Sequence, residues 1–391
     1  MLKRYKRIYV LLCLLQLIGL KVFSQYSINF RIQSRPDAHT MDTIFLAGDF
    51  NNWHPGKTGY SFETHDGYTS LQIKDLPAAN YQFKCTRGEW QKTECTIDGA
   101  DISNRTISLV SDTIIYIAVA AWKDDFAAAV KQHTASVNVK IIDTAFLIPQ
   151  LNRKRRISIY LPPGYNTSQK KYPVMYLQDG QNIFDEFTAF SDEWAVDECL
   201  DSLIKKGTPP CIVVGIDNGP ERMTEYNPYE YKQFGKGEGD LYVDFLATTL
   251  KPFIDKHYRT MTSQSNTTIA GSSMGGLIAY YAALKYPDTF GNAGIFSPSF
   301  LTADQIKEKT VAKGNKLKGK LFFYIGQKEG DTDVQEVEEV VNILGEKSSA
   351  MIYYAVDPES SHNEKAWRKW FGNFYKWIMA DGFNNVIDLS K

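Results

Sequence analysis

The chain has 391 residues, 43% of them hydrophobic, and 44 basic side chains stand against 45 acidic ones. That length and apolar content allow a large core and two domains. The near-neutral balance, with no dense basic stripe beyond the N-terminus, argues against a nucleic-acid partner, and five cysteines are too few for a disulfide scaffold.

Residues 1–24, "MLKRYKRIYVLLCLLQLIGLKVFS", place four basic residues before an apolar stretch and are read as a secretory signal peptide cleaved after Ser24. An uncleaved anchor is the competing reading, but Lys21 interrupts the apolar run and no second long one follows. Cys13 is preceded by Leu11 and Leu12 where a lipoprotein site would have small residues. The expectation is an exported chain, periplasmic or secreted, without a stable membrane anchor once the signal is removed.

From residue 26 to 122, short alternating runs such as "YSINFRIQ", "DTIFLAGDF" and "DTIIYIAVAAW" lie between turn residues and predict a small all-β sandwich of immunoglobulin-like type. Within it, "YQFKCTR" and "QKTECTID" read as a hairpin. Cys85 opposite Cys95 would put Phe83 opposite Ile97, all four facing inward, and export would favour a disulfide. Two buried thiols are the alternative, as for Cys199 and Cys211.

Residues 123–136 are read as a linker. From 137 to 383 strands alternate with helices, which predicts an α/β domain with a doubly wound, mostly parallel sheet.

Gly271-Ser272-Ser273-Met274-Gly275 fits G-x-S-x-G with a strand before it and a helix after it. A tight strand-to-helix turn would lift the central serine, Ser273, above the sheet, with glycines leaving room for the crowded backbone. A serine hydroxyl needs a base, and the one histidine that follows Ser273 is His362. The acid that orients it belongs after the intervening strand, where Glu329, Asp331 and Asp333 are all available. Glu329 is preferred because it comes first and Gly330 follows it; the others would decorate the next helix. The same run lacks the spacing of a calcium loop. No metal and no cofactor is required.

Two N–H groups must receive the oxyanion: that of Met274 and that of Gln181, which follows Gly180 in "YLQDGQNIFDE". Asp179 is read as a structural member of that turn. Trp194, Asp217, Asn218 and Tyr226 are candidates for lining a substrate pocket. Trp367, Trp370, Phe371, Phe374 and Trp377 follow helical spacing and read as the buried stripe of a terminal helix.

The motifs "YLQDGQNIFDE", "VVGIDNG", "EYNPY", "LKPFIDKHYRT", "AGSSMGG", "IGQKEGD" and "HNEKAWRKWF" together resemble the esterase D-like family of α/β-hydrolases, across about residues 137–380. That family includes carbohydrate esterases of family 1, siderophore esterases and mycolyltransferases. The resemblance implies a serine esterase with Ser273 as nucleophile, His362 as base and an acid at the position of Glu329, where many members carry Asp. "DTIFLAGDFNNWHPG" and the run "LPAANYQFKCTRGEWQKTECTIDGADISNRTI" resemble carbohydrate-binding modules of families 48 and 20. That resemblance implies a glycan-associated module in which Trp53 and Trp90 could stack on sugars, core packing being the other reading.

Three functions follow. One is an exported esterase that removes acetyl or feruloyl groups from polysaccharides or oligosaccharides. The second is a siderophore or small-ester hydrolase, for which Arg222 and Lys232 are available without clustering in sequence. The third is a catalytically inert glycan-binding protein, against which the ordered serine, acid and histidine argue.

Overall fold

A computed structural model describes residues 25–380 apart from 52, 66, 127–130 and 233. The signal-peptide reading of 1–24 lies outside the described residues. Among those described, no helix is long and apolar enough to cross a membrane. The chain divides into two compact units, one ending at Ala127 and the other beginning at Ala128.

The first unit carries β1 (Gln25–Ser34), β2 (Phe45–Gly48), β3 (Glu63–His65), β4 (Tyr68–Pro77), β5 (Ala79–Thr86), β6 (Glu94–Cys95), β7 (Arg105–Leu109), β8 (Thr113–Ala118) and β9 (Ala121–Trp122). They form sheets ordered β3-β4-β1-β8 and β2-β5-β7, with the pair β6-β9 beside them. Alternate residues of both larger sheets share one core: Ile28, Phe30, Leu71 and Ile117 from the first, Leu46, Tyr81, Phe83 and Leu109 from the second.

The expected Cys85–Cys95 bridge is not made, and both cysteines are free. The register is the reason. Thr86 pairs with Thr93, so Glu94 and not Cys95 comes opposite Cys85, and the Cys85 N–H donates to Glu94 Oε1 at 2.8 Å. A slip of one residue turns the whole strand over. Cys95 pairs instead with Ala121 on β9, and Ile97, expected inward, is 78% exposed.

The second unit runs β10 (Val139–Ile148), β11 (Arg153–Tyr160), β12 (Val174–Gln178), α1 (Val196–Lys205), β13 (Ile212–Ile216), α2 (Arg222–Glu225), α3 (Gly239–Phe245), α4 (Lys251–His257), β14 (Thr267–Ser272), α5 (Met274–Lys285), β15 (Asn292–Phe296), α6 (Gln305–Lys313), β16 (Lys320–Gly326), α7 (Asp331–Lys347), β17 (Met351–Asp357) and α8 (Glu364–Met379). The eight strands form one sheet ordered β10-β11-β13-β12-β14-β15-β16-β17. β10 and β11 are antiparallel; from β13 to β17 every pairing is parallel.

Period-two alternation feeds two cores from the same strands. Tyr176, Val214, Ile269 and Phe323 enter the one beneath α3 to α7, while Leu177, Val213, Ala270 and Phe322 enter the one beneath α1 and α8. Both faces being covered, the parallel strands read as nearly unbroken apolar runs. α5 is buried at every residue from Met274 to Leu284, which explains its apolar sequence on all sides. The aromatic stripe of α8 packs as expected at Trp367, Phe371 and Phe374.

The stretch read as a linker is only partly one. Residues 123–125 close the first unit as a short 3-10 turn. His133, Thr134 and Ser136 are held to Asp185, Glu193 and Asp197 of the second.

Candidate active site

Ser273 sits between β14 and α5 at φ 58°, ψ −127°, a backbone conformation that L-residues seldom adopt. Backbone contacts hold it there: its N–H donates to the Phe296 carbonyl at 2.9 Å, and its own carbonyl accepts from the Ser299 N–H at 3.1 Å. The flanking glycines make the space. A Cβ on Gly271 would come within 2.7 Å of the Gly275 carbonyl carbon, and one on Gly276 within 2.9 Å of the Phe296 oxygen. The side chain is therefore not needed to keep the turn. Ser273 Oγ lies 3.2 Å from Ser299 Oγ.

His362 lies just before Asn363, whose side chain caps α8 by accepting from the Ala366 N–H at 3.0 Å. Its Nδ1 is 2.7 Å from Glu329 Oε2. Glu329 follows β16, is nearly buried, and also receives at Oε1 the Gly326 N–H (2.9 Å) and the Ser297 hydroxyl (2.6 Å). Ser297 Oγ in turn accepts the Trp367 indole N–H, which can only donate, at 2.9 Å. Three donors converge on one carboxylate. Glu329 is then an acceptor throughout, His362 carries its proton on Nδ1, and Nε2 is left as the basic nitrogen. Desolvation acts to lower the His362 pKa, but the charge and hydrogen bond of Glu329, helped by Asp333 and Glu364, outweigh it and the net shift is upward.

The imidazole is about one-third exposed and makes no bond to Ser273 Oγ in this state. Catalytic hydrogen bonds of this kind often tighten only when substrate arrives.

Asp331 and Asp333 lie in the first turn of α7, where carboxylates favour the helix dipole. Met274 is the first residue of α5, and Gln181 lies in the short turn Gly180–Asn182. N–H groups at such positions have no intrahelical carbonyl to meet, so both are disposed to receive an anion.

The four pocket candidates fare differently. Trp194 is 4% exposed, packed among Phe296, Trp367 and Phe371. Tyr226 is fully buried against Tyr242. Both are core, because their rings fill the layers beneath the loops. Asn218 donates to Asp179 Oδ1 at 2.6 Å. Asp217 faces Arg156 at 3.4 Å, and burial pushes its carboxyl up to about 6 against that pairing.

Asp179, nearly buried at φ 57°, takes a bidentate pair from Arg222 at 2.7 and 2.8 Å. Lys232 has no part in that pair. The sequence reading missed Ser297, Ser299 and the indole of Trp367. "FSPSF" carries no spacing signal, and Trp367 was legible as buried but not as a donor. In the first unit Trp53 and Trp90 stack on each other, centroids 6.4 Å apart, and the Trp53 indole donates to Asp49.

A family model described as "Putative esterase" matches residues 148–377, more than half of the chain. The chain belongs to that esterase family. It is a carboxylic ester hydrolase with an α/β-hydrolase-like fold. Among curated relatives, uncharacterized protein YbbA of Bacillus subtilis is 27% identical over 245 residues, covering 57% of this chain and 92% of that protein. An endo-1,4-beta-xylanase/feruloyl esterase of Xylanibacter ruminicola is 26% identical over 233 residues, covering 59% of this chain but 30% of that longer protein. Among solved structures, the enterobactin esterase FES of Shigella flexneri, determined in the presence of enterobactin, aligns over 90% of this chain and 92% of its own at a TM-score of 0.51 and 18% identity, a likeness of fold.

Proposed function

We propose that this esterase is exported and removes acyl groups, acetyl or feruloyl, from polysaccharides or oligosaccharides through an acyl-enzyme. Ser273 attacks the ester carbonyl, His362 Nε2 takes the serine proton and returns it to the leaving alcohol, and Glu329 holds the imidazole and balances the imidazolium. The N–H groups of Met274 and Gln181 receive the oxyanion. Water then repeats the sequence on the acyl-enzyme. The observation that carries this reading is the 2.7 Å bond between His362 Nδ1 and Glu329, which leaves a basic nitrogen on the imidazole that follows the Ser273 turn.

An uncharged acylated sugar suits the charges near the imidazole. Glu364, Asp333, Asp192 and Asp179 all act on His362 or on Glu364, while Arg222 and Arg368 are each paired with a carboxylate. An anionic siderophore would meet a net negative field. The alternative, siderophore hydrolysis, is favoured by the fold likeness to an enterobactin esterase over both units. In the first unit the paired Trp53 and Trp90 rings are the surface we assign to glycan, since a stacked pair still offers outer faces to a pyranose. Purified protein assayed on acetylated and feruloylated xylo-oligosaccharides, on enterobactin and on p-nitrophenyl acetate separates the readings. Preference for the sugar esters is expected, and preference for enterobactin would reverse the choice.

A further inference from the structure

The second unit holds a cavity of about 330 Å³ whose lining does not include Ser273, between the start of β10, β11 and the loop after β12. Its walls are largely apolar, with Val139, Ile141, Phe184 and Phe187 among them. Its polar groups are unevenly engaged. The acceptor there, Asp185, is saturated: Oδ2 meets His133 Nδ1 at 2.8 Å, and Oδ1 receives the N–H groups of Thr134 and Phe187 at 3.1 Å each. The donors are not. Ser158, 2% exposed, is one of the lining residues and its buried Oγ has no protein partner, and the side-chain contact of Arg156 is the single 3.4 Å approach to Asp217. A buried hydroxyl without a partner is destabilising, so the space calls for an acceptor, and a guanidinium beside it calls for a charged one.

We propose that this cavity is a binding site for a small organic carboxylate with an apolar body, its oxygens on Arg156 and Ser158 and its body against Phe184 and Phe187. Inorganic oxyanions would satisfy the donors but leave the apolar walls bare. The site lies behind the loop read as supplying the oxyanion N–H. Gly180 lines it, and Thr188, also in its wall, donates to the Gln181 carbonyl at 2.8 Å. A carboxylic acid released by ester cleavage is of the right chemical class to occupy it. Binding itself does not depend on the roles given to Ser273 or Gln181.

The test is calorimetric titration of the purified chain with benzoate, benzamide and inorganic phosphate, before and after a fluorophosphonate has blocked the catalytic serine. Benzoate should bind equally well to both forms. Arg156→Gln should weaken it about tenfold, and Ser158→Ala about fivefold. Benzamide and phosphate should each bind at least about tenfold more weakly. Loss of benzoate binding on blocking would place the ligand in the catalytic site and overturn the proposal. So would no binding, equal binding of phosphate, or indifference to both substitutions. Should Arg156→Gln fail to fold, Ser158→Ala removes one unpartnered oxygen and carries the test. If the fluorophosphonate does not react, the catalytic reading fails by itself while the two variants still report on the cavity.

Discussion

Two turns of the second unit invite comparison, because they follow adjacent parallel strands and each seats a non-glycine residue at positive φ. Ser273 after β14 and Asp179 after β12 are both non-glycine residues at positive φ, 58° and 57°, with ψ at −127° in the first and 48° in the second. They are held there by opposite means. At Ser273 the strain is carried by backbone hydrogen bonds and by glycines that make room, so the side chain is free to react. At Asp179 the side chain itself is the clamp, tied to Arg222 and Asn218, and what stays free is the backbone N–H two residues on. Strain of this sort persists only where the surroundings over-determine it. On the proposed mechanism, the contrast separates a turn that presents an oxygen from one that presents an amide. The two meet at Gly275, where a Cβ would stand 3.0 Å from Asp179 Oδ2.

The largest effect is expected from deleting the presented groups. Ser273→Ala and His362→Ala should each reduce kcat/KM by roughly 10⁴- to 10⁶-fold with unchanged melting temperature, and the double variant should be no worse than either, since such groups act as a unit. Additive losses, or near-normal turnover of Ser273→Ala, would break the comparison at its first term.

Next comes Glu329→Gln, with a loss of about 10²- to 10⁴-fold and a displaced pH profile. A base works when neutral, so kcat/KM falls as pH drops through the His362 pKa. That pKa is raised, so the acidic limb of the parent should lie above the ordinary value of about 6.5. Removing the Glu329 charge leaves desolvation in control and should carry the limb downward. A limb that stays put would show that the 2.7 Å bond does not tune the imidazole.

Asp179→Asn should cost less. Arg222 loses its charged partner while three-quarters buried, worth about 2 kcal/mol of stability, and a loosened loop should lower kcat by about tenfold. The acidic limb should not move, because the clamp acts on an amide and not on the base. A shifted limb would tie Asp179 to His362 and blur the distinction between the two turns. The smallest effect is a null: reducing agent should leave the melting temperature of the first unit unchanged, and thiol counting on unreduced, unfolded protein should find Cys85 and Cys95 both free.

Local patterns were readable from the chain alone. The strand, the G-x-S-x-G turn and the following helix are contiguous, so the glycines that make room for the bend at Ser273 are written in neighbouring residues, although the Phe296 and Ser299 backbone groups that hold it come from the next strand and its loop. Strands alternating with helices announced a sheet covered on both faces, and the last histidine could be singled out by chain order. Packing over long separations decided the rest. Three carboxylates lie within five residues, and position along the chain only ranks them; Glu329 meets the imidazole because the Gly326 N–H and the Ser297 hydroxyl hold it, Ser297 being held in turn by the Trp367 indole, 38 positions past Glu329. The Asp179 clamp closes across 43 residues. Trp194 and Tyr226 were drawn under the loops by the area their rings could bury. The hairpin register slipped by one because Glu94 found the Cys85 N–H and Arg105, a choice made by hydrogen bonds between strands that no alternation along one strand encodes.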